Sequence, residues 1–182
     1  TVTARRLIWG KGLNAGQTCI APDHLVVEEK IKLPLLKEMK SARTSFYGQD
    51  PVHSSHLGKI VNDHHFKRLS ELLEGARQKG KILCGGEIDE KERRIAPTMI
   101  EVENRNDPLM AEELFGPLLP ILSVPDLETA LIALRKEPRP LALYLFGGTS
   151  DQQKKVLDTT SSGGVCFNDV IMQAGIPELP FG

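Results

Sequence analysis

Three cysteines punctuate the chain, Cys19, Cys84 and Cys166, and the first stands where a sulfur could work. It lies in Asn14-Ala15-Gly16-Gln17-Thr18-Cys19-Ile20-Ala21-Pro22, among small neighbours, with Pro22 stiffening the exit into a strand. A nucleophilic thiolate needs an open approach for an electrophilic carbon, and nearby backbone N–H groups to receive the charge that develops on the substrate oxygen. A small-residue turn supplies both. The competing reading of Cys19 is a free thiol on an ordinary turn. Cys84, beside Gly85-Gly86, and Cys166, inside an apolar strand, read as small buried hydrophobes. An odd number of widely separated cysteines without a CxxC pair argues against a disulfide framework and against a zinc site. His53, His56, His64 and His65 crowd a polar loop and a helix start. Adjacent histidines diverge on a helix and no carboxylate pair completes a ligand set, so they read as surface residues and no metal is expected. On residue type alone, Glu113 is a surface acid on a short turn and Phe115 an apolar anchor for the next strand. Asn168 and Asp169, at a strand's end, could line a site or cap a turn.

Stepping these residues into place requires alternating elements. Leu7, Ile8 and Trp9 among basic residues predict a helix over Ala4 to Leu13 that runs into a turn at Asn14 to Gly16. A strand, Leu25 to Glu28, follows, then a helix from Lys30 to Phe46 with Ile31, Leu35, Leu36 and Met39 at helical spacing, broken by Gly48 and Pro51. Gln49 to Leu57 reads as loop. Phe66, Leu69, Leu72, Leu73 and Ala76 mark a second long helix, ended by Gly80 before a strand at Lys81 to Cys84. A strand over Ile95 to Val102, a helical turn near Met110 to Glu113, and a strand at Leu118 to Val124 come next. The pattern closes with a helix, Leu127 to Lys136, a strand, Leu141 to Phe146, a helix from Asp151 to Thr160 capped by Ser150, and a strand, Gly164 to Asn168. Strands alternating with helices predict an α/β fold: a mainly parallel sheet with helices on both faces.

Composition narrows the function. The 182 residues are 40% hydrophobic and 26% charged, within the range of one folded domain and outside that of a disordered chain. Lys and Arg total 23 against 24 Asp and Glu, which lacks the basic excess of a nucleic-acid or anionic-membrane binder. The partner is then a small molecule or another protein. The longest apolar stretch, Pro140 to Gly148, is far below the roughly 20 residues that span a bilayer. Unpaired cysteines fit a reducing, cytoplasmic compartment.

The segment NAGQTCIAP, Asn14 to Pro22, resembles the active-cysteine segment of the NAD(P)-dependent aldehyde dehydrogenases, whose pattern is Asn, any residue, Gly, Gln, any residue, Cys. Glu112-Glu113-Leu114-Phe115-Gly116-Pro117 resembles the family's EE-apolar-FGP motif and falls after IAPTMI and before LLPIL, as expected. Arg139 to Tyr144, and Gly163 to Asp169 through Leu179-Pro180-Phe181-Gly182, look most like the class 3 branch. The resemblance runs from end to end. It implies that Cys19 attacks an aldehyde to give a thiohemiacetal, that hydride passes to NAD or NADP, and that water hydrolyses the resulting thioester. It further implies that Glu113 binds the hydroxyls of the nicotinamide ribose, that Phe115 packs near the nicotinamide ring, and that the Cys19 backbone N–H helps hold the oxyanion. Glu112 is expected to be solvated.

The resemblance also implies that residues 1–182 are one catalytic, thiol-bearing domain of a longer homodimeric enzyme. The nucleotide-binding half, the water-activating glutamate, the oxyanion asparagine and the C-terminal arm would lie outside it, so the segment alone is expected to be inactive and to bind cofactor poorly. Gly12 stands where relatives carry a bulky residue, which predicts a wide tunnel entrance for bulky or long-chain aldehydes. Other readings are a CoA-acylating dehydrogenase, a thiol hydrolase, for which no histidine is suitably placed, and a catalytically silent structural or dimerisation module.

Overall fold

The computed structural model describes residues 2–182. The first helix, α1 (Val2–Gly12), buries Ala4, Leu7, Ile8 and Lys11, a spacing of three and four residues that forms one stripe. That stripe meets α2 (Glu29–Tyr47), which buries Leu36, Met39, Ala42, Arg43 and Tyr47. Pro34 lies inside α2, and Gly48, at φ 80°, ends it by donating its N–H to Thr44 O at 2.9 Å. A left-handed residue at this place favours glycine because it carries no Cβ. The third helix, α3 (Asp63–Gln78), starts where the Asn62 side chain accepts from His65 N at 2.8 Å, and buries Phe66, Leu69, Leu73 and Ala76.

The central sheet has the strand order β1-β6-β5-β2, with β1 (Leu25–Glu28), β2 (Ile82–Cys84), β5 (Thr98–Val102) and β6 (Leu118–Val124). The β1/β6 and β5/β6 pairs are parallel, and β2 runs antiparallel to β5. In β5 the adjacent Met99 and Ile100 are both buried, as are the adjacent Leu118 and Leu119 in β6. Because neighbouring strand residues point to opposite faces, both faces of these strands are covered. Pro120 pairs with Ile100 one residue before β1 joins at Ile121, where β6 has a ladder partner on one side only and a missing N–H is tolerated.

The expected α/β class is the observed one, with corrections in detail. The strand predicted over 95–102 is broken by Pro97: Arg94–Ile95 forms β4 of a hairpin with β3 (Ile88–Asp89), and β5 begins at Thr98. The predicted helix at 127–136 is α4 (Leu127–Leu134). A separate parallel pair joins β7 (Ala142–Leu145) to β8 (Gly164–Phe167) through α5 (Ser150–Thr159). Thr149 caps α5, not Ser150; its hydroxyl accepts from Gln152 N, and the Gln152 side chain accepts from Thr149 N. This reciprocal pairing satisfies two otherwise free N–H groups, an advantage Ser150 lacks. Among the described residues no helix is long and apolar enough to cross a membrane.

Candidate active site

Between α1 and β1 the chain makes three left-handed residues in succession, Asn14 (φ 51°), Ala15 (φ 54°) and Gly16 (φ 74°). For residues with a β-carbon this conformation costs about 1–2 kcal/mol each, so the surroundings must hold it. Asn14 Nδ2 donates to Gln17 O at 3.0 Å, and Ala15 is fully buried. Gln17 is the main brace: its Nε2 donates to Asn14 O (3.0 Å) and Lys59 O (2.9 Å), while its Oε1 accepts from Val61 N (2.8 Å). The side chain that precedes the thiol thereby ties the loop to the segment leading into α3.

Cys19 then sits at the corner of a turn closed by Ala21 N donating to Thr18 O at 2.9 Å, and it is exposed. The next carbonyl, Ile20 O, accepts from the Tyr144 hydroxyl at 2.7 Å, and Gln173 Nε2 donates to that hydroxyl at 3.1 Å. Strand β7 and the segment after β8 therefore support the thiol's turn. A cavity of about 130 Å³ lies here, lined by Ile20, Gln173, Ile176, Leu179 and Phe181 among others. Cys166 is half-buried, and desolvation pushes its thiol up, which keeps it in the neutral, unreactive form. Cys84 is also half-buried. Both are packed less completely than the sequence suggests.

The Glu113 turn adjoins the same loop. A β-carbon on Gly16 would fall 2.2 Å from Gly116 O, so the two segments touch backbone to backbone. Leu114 is fully buried while Glu113 and Phe115 on either side are exposed, Phe115 at a left-handed φ of 49°. Asp23, just past the thiol's turn, accepts from Leu114 N at 2.9 Å through Oδ1. Glu113 thus offers an exposed carboxylate and Phe115 an exposed ring from one anchored turn. Partial desolvation and the Asp23 charge raise the Glu113 carboxyl above its usual range, against the pull of Lys11.

The sequence assigns Lys11 no role, yet it stands beside this turn's charges. It completes the apolar stripe of α1, is only 2% exposed, and burial pushes its ammonium down to about 8 against the stabilising charges of Asp23 and Glu113. Its signal was a lysine at helical spacing from Ala4, Leu7 and Ile8. The sequence puts His65 on the surface and gives Arg68 no role, but both reach the Glu113 turn. His65 Nε2 lies 2.7 Å from Phe115 O, and Arg68 donates to Leu114 O and to Glu112 Oε1. Glu112 is exposed as expected, yet it is ion-paired to Arg68.

His53 is exposed between Asp50 and Asp89, as a surface histidine should be. Asn168 and Asp169 resolve into fasteners: Asn168 Oδ1 accepts from Gly147 N, and Arg6 of α1 reaches Asn168 O and the Asp169 carboxylate. Gly12 does not open a tunnel. A β-carbon there would stand 1.7 Å from the Tyr47 hydroxyl, so the space is already filled from α2. Among the described residues no group of three or more metal-ligating side chains occurs.

Comparison with known proteins identifies the family and the fold. Residues 1–182 match the aldehyde dehydrogenase family. The chain is 45% identical over 181 residues to rat aldehyde dehydrogenase family 3 member A2, covering 100% of this chain and 37% of the relative. It is 41% identical over 181 residues to rat aldehyde dehydrogenase, dimeric NADP-preferring, covering 100% of this chain and 39% of the relative. Among solved structures, the substrate-bound state of Staphylococcus aureus AldH superposes with a TM-score of 0.95 at 40% identity, covering 100% of this chain and 39% of that one. The chain thus spans less than two-fifths of the length of these relatives.

Proposed function

The chain belongs to the aldehyde dehydrogenase family, and we propose that it is the thiol-bearing catalytic domain of a longer enzyme oxidising aldehydes to carboxylic acids. The observation that carries this reading is the junction of two turns: the exposed Cys19 and the Glu113–Phe115 pair stand on loops in contact at Gly16 and Gly116.

In this reading the Cys19 thiolate adds to the aldehyde carbon, forming a C–S bond while the carbonyl electron pair moves onto oxygen. The Cys19 backbone N–H helps hold that oxyanion, an interaction worth about 3–4 kcal/mol where such a donor is preorganised. When the oxygen pair returns, the carbon releases hydride, and Cys19 is left holding a thioester. Water attacks the acyl carbon, the C–S bond breaks, and the acid departs as the thiolate is restored and one proton passes to solvent. Bound NAD or NADP supplies the acceptor for the hydride. Glu113 would hold the cofactor through hydrogen bonds accepted from its ribose hydroxyls, and Phe115 would hold its nicotinamide end. An exposed carboxylate next to an exposed ring, both on a buried Leu114 anchor, fits that pairing.

The relative named dimeric and NADP-preferring supports a nicotinamide dinucleotide and a homodimer, and three free cysteines support a reducing, cytoplasmic setting. The test is Cys19→Ser in the full-length chain. Turnover is expected to fall on the order of 1,000-fold or more, and unchanged turnover would sink the reading. Product release that requires CoA would instead identify an acylating dehydrogenase. Equal iodoacetamide labelling of Cys19, Cys84 and Cys166 would point to a silent module.

A further inference from the structure

Helix α3 grips the Glu113–Phe115 turn through Arg68 and His65. Arg68 Nη1 donates to Glu112 Oε1 at 2.7 Å, and its Nη2 donates to Leu114 O. His65, one turn earlier on the same helix, brings Nε2 to 2.7 Å from Phe115 O. A carbonyl oxygen can only accept, so this Nε2 must carry a proton. The other ring nitrogen, Nδ1, lies 3.3 Å from Arg68 Nη2 and 3.4 Å from Arg68 Nε. A guanidinium can only donate, so Nδ1 must be the acceptor. The two contacts together select the neutral Nε2–H tautomer of His65.

What this pair holds is a strained backbone. Phe115 has φ 49° and is 36% exposed. Non-glycine residues stay in this region only when the surroundings over-determine them. The restraints are the buried Leu114, the Asp23 bond to Leu114 N, the Arg68 bond to Leu114 O and the His65 bond to Phe115 O. The His65 and Phe115 rings also meet edge-on, with centroids 6.3 Å apart and planes at 62°.

We propose that Arg68 and His65 act as a coupled pair of positioning residues for the nicotinamide cofactor: Arg68 fixes the His65 tautomer, and His65 Nε2–H holds the Phe115 carbonyl so that Phe115 and Glu113 face the nicotinamide riboside. This inference deepens the dehydrogenase reading and rests on it. Neither residue touches the reacting atoms; both act through the peptide units of the turn.

The experiment uses the full-length chain with His65→Phe, which keeps a ring but removes the donor, His65→Gln, which restores an N–H at similar reach, and Arg68→Met. The probe is NAD and NADP, with Kd read from protein fluorescence. His65→Phe and Arg68→Met should raise the cofactor Kd and KM about tenfold, with aldehyde KM and the iodoacetamide labelling rate of Cys19 held within about twofold. His65→Gln should recover most of the loss. An unchanged cofactor Kd in folded His65→Phe and Arg68→Met would overturn the proposal. So would a parallel loss of Cys19 reactivity, which marks general structural support. Should the variants fail to fold, ¹⁵N-histidine spectra of the wild-type chain decide the matter: His65 protonated on Nε2 alone supports the pair, and a proton on Nδ1 overturns it. Loss of turnover in Cys19→Ser together with an unchanged cofactor Kd in His65→Phe removes this proposal and leaves the catalytic reading standing. Full turnover in Cys19→Ser removes the reading itself.

Discussion

Gly16 packs directly on Gly116: a β-carbon at position 16 would lie 2.2 Å from the Gly116 carbonyl oxygen and 2.5 Å from its carbon. Gly116 is in turn backed by Leu69 of α3, whose Cδ1 would stand 2.5 Å from a β-carbon there. No flexible side-chain tip gives way on the Gly16 side of this contact. Gly16→Ala should therefore cost at least about 2 kcal/mol, combining overpacking with a left-handed φ of 74°. Turnover should drop with it, because the thiol loop and the Glu113 turn must move apart. Urea unfolding and steady-state kinetics on the full-length variant check both effects.

Gln17 supports a second prediction. Replacing it with Leu leaves Asn14 O and Lys59 O without its amide donors and Val61 N without its acceptor. The expected loss is about 3 kcal/mol, since buried polar groups left unpaired cost about 1–3 kcal/mol each and some regain water. Gln17→Glu keeps the acceptor but turns a carboxylate toward two carbonyls, so it should not rescue. Recovery of wild-type stability and turnover in Gln17→Glu would show that the donors are dispensable.

A third prediction concerns alkaline pH. Burial pushes Lys11 down to about 8 from an ordinary 10.5. Between those values the unfolded chain keeps the proton that the folded chain has released. Stability attributable to this group therefore rises with pH across that window, by about 3 kcal/mol in all, and below about 8 the increment is absent. Denaturant unfolding of wild type and Lys11→Met from pH 7 to pH 10.5 should show the wild type gaining on the variant as pH increases. Parallel curves would contradict the assignment.

Cofactor binding should respond to acid. Desolvation, then the Asp23 charge, raise the Glu113 carboxyl above its usual range. As pH falls through that raised value the carboxylate gains a proton and loses acceptor capacity for the ribose diol. Affinity for NAD or NADP should weaken on acidification earlier than an ordinary glutamate would allow. Glu113→Gln should bind more weakly and show a flatter pH dependence. Fluorescence titrations between pH 4.5 and pH 8 test this, and a wild-type profile as flat as that of the variant would count against Glu113.

The parts of the fold readable from sequence were those governed by local periodicity. The stripe of Phe66, Leu69, Leu73 and Ala76 marks α3, and β1 is observed at Leu25–Glu28 as predicted. The β3/β4 hairpin escaped because two-residue strands carry no alternation to detect. Thr149 is legible as a cap, since Gln152 stands three residues on and completes the box, a pairing that Ser150 lacks. For the site, the turn of Cys19 stands out by its small neighbours, whereas residue type alone makes Glu113 a surface acid and only the resemblance of its segment to the family motif singles it out. The grip of His65 and Arg68 on residues 46 to 50 positions away is not legible, because nothing local announces which carbonyl a side chain will reach. The one hint was their spacing of three on α3, which puts both on the same side of the helix.

The phenol of Tyr47 resting in the notch at Gly12 binds the fates of two positions on neighbouring helices. Any side chain gained at position 12 evicts the hydroxyl before it alters access for a ligand, so the first casualty is the angle between α1 and α2. Since α1 leads straight into the loop that carries the thiol, re-engineering this corner demands paired exchanges, a larger residue at 12 with a shorter one at 47, rather than the single enlargement that inspection of the primary structure invites.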